Sequence, residues 1–292
     1  MGKDHYVPKT YLRGFTPEYR RGRNGGELAV YRPGCKDGKK LSIKGYVACE
    51  PDFYGCHPLD KYWSTTIEDK WPGVRKGIKD GNIDTALLDN LFSFVSAQLL
   101  RTPSSMDRLA RILNYENASV KEIEIEGRKS KALFMGYANT QDVLKHVEEL
   151  WPEVRRDLEC SYQWTVLRAT GTNAFLTSDN PCSMDSYGSI LMPVALDLTL
   201  LGFRTASSAA PMGHITVARE TVDDVNERIV GACDSFIYSH ELSDDVGSFV
   251  VQHYRAKDIM ESGRAFKNGA TSLSEEEMIH MVKRFEDLRK NP

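Results

Sequence analysis

Between residues 65 and 158 the apolar side chains recur at helical spacing, while the stretches before and after alternate in the manner of strands. Residues 84–101 set this pattern most firmly: Leu87, Leu88, Leu91, Phe92, Val95 and Leu99 fall on one broad helical face. Pro103 stops that helix and restarts another over 103–114. A helix is also predicted over 65–80, broken by Gly81, and another over 140–158 with Val143, Leu144, Val147, Leu150 and Trp151 on one side and Pro152 inside it. A helical segment inserted between strand-patterned ends reads as one α+β unit.

The ends supply the strands. His5-Tyr6-Val7-Pro8 reads as extended, because a residue before proline is pushed out of the helical region, and Pro8 can then open a short helix carrying Tyr11, Leu12 and Phe15. Residues 27–31 alternate as a strand, and 41–47 can pair with them across the turn at 33–40, giving an N-terminal β-hairpin. Further on, 161–170 and 173–177 read as a second hairpin joined by Gly171-Thr172. Strands at 190–194, 198–203 and 235–238 surround a helix near 219–232. The expected architecture is therefore an N-terminal β-hairpin, a central helical segment and a C-terminal mixed or antiparallel sheet with flanking helices. No repeat or Pro/Ser-rich linker divides it, so residues 1–272 are expected to form one domain. Residues 273–292 hold a charged C-terminal helix with Met278, Met281, Val282 and Phe285 as its apolar stripe.

Charge is uneven along the chain. The total is -3, but residues 1–45 hold eleven Lys/Arg against four Asp/Glu, a net of +7, whereas residues 218–292 hold ten against fifteen, a net of -5. A generic nucleic-acid binder with a wholly basic surface is excluded; a nucleic-acid partner engaged through the basic N-terminal hairpin is not. Exposed lysines around a turn are the plainer account of the same residues. With no run of about 18 apolar residues and no apolar core behind Met1, the sequence predicts no membrane span or signal peptide, and a cytoplasmic protein. Its six cysteines make no CxxC pair. Cys49, Cys56 and His57 come nearest to a zinc corner, at a loose spacing of seven, and free thiols are the simpler expectation.

Four polar groups stand out from this background. His5, pinned between aromatics and a proline, can act as a general acid or base near neutral pH, or anchor the terminus. Thr177-Ser178-Asp179-Asn180-Pro181 ends a predicted strand; Asp179 can bind a metal or orient a histidine, and Ser178 and Asn180 can bond substrate, unless the segment is a turn bonded to its own backbone. Gln98 and Arg101 lie three residues apart on the apolar helix, where the guanidinium can fork two bonds to a phosphate or cap its own helix. Glu68 is a further carboxylate, although Thr65-Thr66-Ile67-Glu68 also fits a helix capping box.

These segments together resemble the bacterial and phage family called domain of unknown function 4238. The likeness rests on His5-Tyr6-Val7-Pro8 with Tyr11-Leu12 and Phe15, Arg101-Thr102-Pro103, Phe175-Leu176-Thr177-Ser178-Asp179-Asn180-Pro181, Leu191-Met192-Pro193-Val194, and Asn226 ahead of Phe236-Ile237-Tyr238-Ser239. It spans about residues 4–240 and departs at Lys9, where the family often has Gln or Arg. The resemblance implies a site built on the same His, Arg and Asp-Asn, but no established reaction.

The function expected from these residues is a hydrolase on a phosphate-containing substrate, a nuclease in a phage-defence or toxin setting. His5, Asp179, Arg101 and Glu68 are its catalytic candidates, and Tyr6, Gln98, Ser178 and Asn180 bind substrate. Asp179 and Glu68 would hold the metal, Mg2+ or Mn2+. The alternative is a non-catalytic binding or sensor module whose motif residues tie the N-terminus to the sheet.

Overall fold

A computed structural model of the chain describes residues 3–17, 26–44, 47–51, 53–55, 58–116, 119–125, 128–134, 138–185, 188–205 and 212–254. The N-terminal region contributes β1 (Lys3–His5), α1 (Lys9–Leu12), a 3-10 turn (Arg13–Phe15), β2 (Glu27–Tyr31), β3 (Lys39–Ser42) and β4 (Cys49–Pro51). The helical block follows: α2 (Pro58–Tyr62), a π-helical turn (Trp63–Ile67), a 3-10 turn (Glu68–Lys70), α3 (Trp71–Asp80), α4 (Thr85–Arg101) and α5 (Pro103–Glu116). A hairpin of β5 (Ser119–Ile125) and β6 (Arg128–Phe134) precedes α6 (Thr140–Cys160). The C-terminal region holds β7 (Tyr162–Ala169), β8 (Thr177–Ser178), β9 (Ser183–Met184), β10 (Ile190–Ala195), β11 (Leu198–Arg204), β12 (Gly213–Val217), α7 (Arg219–Ala232), β13 (Ile237–Ser239) and α8 (Asp244–His253). The fold is α+β.

Local chemistry sets the helix limits. Asp84 caps α4 by accepting a hydrogen bond from the Leu87 amide at 2.7 Å. Gly81 ends α3 in the left-handed region at φ 73°, where a side chain would be strained. Asn139 and Asp142 form a capping box on α6, which runs on through Pro152. No helix of the described residues is long and apolar enough to cross a membrane.

Two sheets carry the architecture. A five-stranded sheet runs β12-β7-β11-β10-β9, antiparallel except for the parallel β12-β7 pair. A four-stranded sheet runs β3-β2-β13-β8, so the N-terminal hairpin and two C-terminal strands form one antiparallel layer. The main core lies between the first sheet and α1, α3, α4 and α6. Trp71 stacks on Phe94 with ring centroids 3.8 Å apart, and Tyr11 lies 6.0 Å from each.

The structure departs from the sequence reading at particular points. Residues 161–177 are not a hairpin. Gly171 does make a turn (φ 64°), but β7 has β11 on one edge and β12 on the other, so no edge remains for residues 173–177. The chain crosses instead to the second sheet, where β8 pairs with β13. Thr65 does not start a helix: the helical path begins at Pro58, and the Thr65 hydroxyl bonds back to the Lys61 carbonyl at 2.9 Å. The capping box expected at Thr65–Glu68 is therefore absent, which leaves the Glu68 carboxylate for another partner. The strand expected over 41–47 is shifted to Lys39–Ser42, and the last strand to Ile237–Ser239. The pairs β1-β4 and β5-β6, the short β9, the edge strand β12 and α8 were not anticipated. Cys56, His57 and the helix expected over 273–290 lie outside the described residues.

Candidate functional site

The motif segments, far apart in sequence, bond to one another in space. Tyr11 is fully buried; its hydroxyl donates to the Pro193 carbonyl at 2.5 Å and lies 2.8 Å from the Thr177 hydroxyl. One side chain thereby joins the opening motif to two strands of different sheets. Asn226 of α7 accepts from the Leu176 amide (2.7 Å) and donates to the Ala174 carbonyl (3.1 Å), holding the segment that crosses between the sheets. Neither role is visible in spacing alone.

Arg101 sits at the end of α4 with 1% of its surface exposed. Its Nε donates to the Tyr54 hydroxyl (3.1 Å), one terminal nitrogen to Glu68 Oε1 (2.7 Å) and the other to the His5 carbonyl oxygen. The guanidinium also lies over the Trp63 ring, 5.2 Å from its centroid. Burial opposes its charge, but Tyr54 and Glu68 outweigh that and raise its pKa above the ordinary arginine value. The π-helical turn places Trp63 and then Glu68 against it; such turns occur often at functional sites.

Asp179 is equally enclosed, at 1% exposure. Its carboxylate accepts three backbone N–H bonds, from Asp234 (2.8 Å), Ser235 (2.7 Å) and Phe236 (3.1 Å), and so fixes the approach to β13. Asn180 donates to the Ser104 hydroxyl (3.2 Å) and to the Ala232 carbonyl (3.0 Å). The Ser178 hydroxyl bonds its own turn, donating to the Asn180 carbonyl and accepting from its amide. Ser104 in turn donates its backbone N–H to Asp234 at 3.1 Å. The Arg101-Thr102-Pro103 segment is thus laced to Asp179-Asn180 and to the strand that follows α7.

The structure therefore brings Arg101, Glu68 and the His5 backbone together, and separately joins Asp179, Asn180 and Ser104. Tyr6 feels the charge of the second group. Its hydroxyl is buried, and its pKa is pushed well above the ordinary value first by burial and then by the charge of Asp179, with smaller contributions from Glu50 and Asp234. His5 lies in β1, its imidazole half-buried and its backbone paired with Cys49. Gln98 is fully buried one turn before Arg101, and neither amide atom has a partner among the described residues. Tyr54, Ser104 and Asp234 are members of the network that the sequence reading missed. A polar residue directly after Arg-Thr-Pro, and an Asp-Ser pair just before the last strand, were the signals available.

The two carboxylates proposed for Mg2+ or Mn2+ do not fit a cation. The oxygens of Asp179 face N–H donors and Oε1 of Glu68 faces a guanidinium, arrangements that hold anions in place. Among the described residues no group of three or more His, Cys, Asp and Glu side chains is placed to bind a metal ion.

A family model described as "Protein of unknown function (DUF4238)" matches residues 3–243. The chain belongs to this family. No curated protein and no solved structure matches the chain. For a DUF4238 chain the network acquires a particular sense: the segments that carried the resemblance, from His5 to Tyr238, are the ones that hydrogen-bond to each other across the two sheets.

Proposed function

We propose that this chain is a non-catalytic binding module, in which the motif residues clamp the N-terminus to both sheets and the basic β2–β3 hairpin meets a phosphate-bearing partner, nucleic acid by preference. One observation carries the non-catalytic reading: Arg101 and Asp179 direct their charged groups at partners within the fold, each with 1% exposure. A group that must stabilise a transition state has to reach substrate. The partner surface is supported by Lys36, Lys39 and Lys40, which are exposed and have no carboxylate partner among the described residues. They line the turn and the outer strand β3 of the four-stranded sheet. Lysines on an edge strand also discourage edge-to-edge pairing of sheets, so their role needs a direct test.

The test is binding of a short fluorescent DNA or RNA at several salt concentrations, comparing the parent with Lys36→Glu, Lys39→Glu, Lys40→Glu combined. Three lost phosphate contacts lower the slope of log affinity against log salt by about 2 to 3. Unchanged affinity and slope would reject the hairpin as the binding surface.

A second reading, a hydrolase such as a nuclease acting in phage defence or as a toxin, is favoured by Gln98. A buried amide with neither atom paired costs several kcal/mol by the usual scale unless water or a ligand satisfies it. Glu68 keeps 16% of its side chain exposed beside the same arginine. In this reading His5 moves the proton, Gln98, Tyr6, Ser178 and Asn180 position substrate, and Arg101 and Glu68 shape the wall. Cleavage of RNA, DNA or nucleotides that disappears in folded His5→Ala and Gln98→Ala variants would select it over the binding module.

A further inference from the structure

Away from the motif network, α3, the 3-10 turn after α1 and the turn between β10 and β11 enclose a cleft of about 480 Å³, a size suited to a small ligand. Its wall is charged. Arg75, Lys76 and Lys79 of α3 line one side with Asp80, and Asp197 stands on the β10–β11 turn. Lys76 pairs with Asp80, and Asp197 lies 3.8 Å from Arg168 of β7. The guanidinium of Arg168 also donates to the Lys79 carbonyl at 2.7 Å, which brings a fourth cation to the edge of the cleft. Among the described residues four cations thus stand against two carboxylates, and Lys79 has no carboxylate partner there.

Two features show that this charge is held in place. Arg75 is half-buried and its Nη1 donates to the Thr10 carbonyl at 2.9 Å, so the guanidinium is fixed at the cleft wall. Gly14 forms the opposite surface: a Cβ there would lie 2.6 Å from the Val194 carbonyl oxygen and 3.0 Å from Arg75 Nη1. Only a glycine lets the arginine, the 3-10 turn and β10 come this close. Arg75 and Lys79 are also one helical turn apart, a like-charge spacing that disfavours the helix in the absence of an anion between them.

We propose that this cleft binds a small, multiply charged anion, the phosphoryl or diphosphoryl group of a phosphorylated metabolite, as a site separate from the basic hairpin. The arrangement suits such a ligand: a guanidinium fixed at the wall, an exposed lysine as a point charge, and a glycine that leaves room on the facing surface. Five charged side chains in the wall, Arg75, Lys76, Lys79, Asp80 and Asp197, disfavour a wholly apolar ligand.

The full chain is titrated calorimetrically with inorganic pyrophosphate at low salt, and in parallel with a single-stranded DNA octamer. Lys79→Glu is compared with Lys145→Glu, an equivalent charge change on the exposed face of α6. Pyrophosphate binds saturably, Lys79→Glu weakens it about tenfold or more, and Lys145→Glu leaves it unchanged. The Lys36, Lys39, Lys40 triple variant also keeps it, so failure of the hairpin reading and failure of this one are separate results. No saturable binding, or equal loss in both single variants, overturns the site. Equal loss of pyrophosphate and octamer in Lys79→Glu also overturns it, because the cleft would then be part of a nucleic-acid surface.

Discussion

Replacing Asp179 with asparagine tests whether the strongest motif residue serves the fold or a reaction. In the parent, Oδ2 accepts from Ser235 and Phe236 and Oδ1 from Asp234, all backbone N–H groups. An asparagine that keeps its oxygen at the Oδ2 position retains two bonds but loses their charge assistance, about 1 kcal/mol each. Its NH2 then meets the Asp234 N–H, donor against donor. That leaves a buried donor unpaired at a cost of about 1–3 kcal/mol, and the total comes to roughly 4 kcal/mol. Asp179→Ala orphans all three donors, roughly 6 kcal/mol on the same scale, comparable with the whole stability of a typical domain. The assay is urea unfolding followed by tryptophan fluorescence, which reports on Trp63 and Trp71, both fully buried. A loss below about 1 kcal/mol in Asp179→Asn, combined with abolished function, would refute the structural reading and return Asp179 to a catalytic role.

Arg101→Lys offers one nitrogen in place of three and cannot serve Tyr54, Glu68 and the His5 carbonyl together; a loss of about 2–4 kcal/mol is expected in urea unfolding, with Glu68→Gln milder and non-additive with it. Full additivity in the double variant would argue against the ion pair. Tyr6, Tyr11, Tyr54 and Tyr238 all have raised pKa values, with burial the largest cause in each. Because the folded values exceed the unfolded value near 10, the stability they support is intact below pH 10 and is lost as pH rises beyond it. Tyrosinate absorbance at 295 nm should therefore appear together with loss of the tryptophan signal; smooth titration of these four near pH 10 in a still-folded chain would contradict their burial. Gly247→Ala places a Cβ 2.2 Å from the Lys36 carbonyl oxygen, so thermal unfolding should show about 1–3 kcal/mol of destabilisation as α8 is pushed off the β2–β3 turn. An unchanged midpoint would mean that α8 does not pack there.

Local signals were read well wherever one element decides its own conformation. Pro8 before Tyr11 and Leu12, the apolar face of 84–101, and the strands β10 and β11 follow from steric and hydrophobic rules that act within a few residues. The misreadings have a common origin in long-range competition. Gly171-Thr172 is a sound turn, but strand edges are occupied one partner at a time, and β11 and β12 had taken both edges of β7. Thr65 to Glu68 is a sound capping pattern, but α2 already supplied the preceding helical turn, and the buried Arg101 charge drew the carboxylate. Residues 119–125 and 128–134 pair as a hairpin although the second, Arg-Lys-Ser-Lys-Ala-Leu-Phe, shows no polar-apolar alternation.

The amino-acid sequence by itself determined the α+β class, the helical block and its order, the basic N-terminal hairpin, and a set of polar residues that stand out from their apolar surroundings. Backbone sterics and hydrophobic periodicity are enough for these, since they operate on neighbours. Only the tertiary structure decided what those polar residues do. Whether Arg101 holds a phosphate or the His5 carbonyl, and whether Asp179 holds a metal or three backbone amides, depends on groups 50 to 100 residues away being brought within hydrogen-bond reach. No rule of spacing encodes that distance; the joint packing of two sheets and the helices α1, α3, α4 and α6 does.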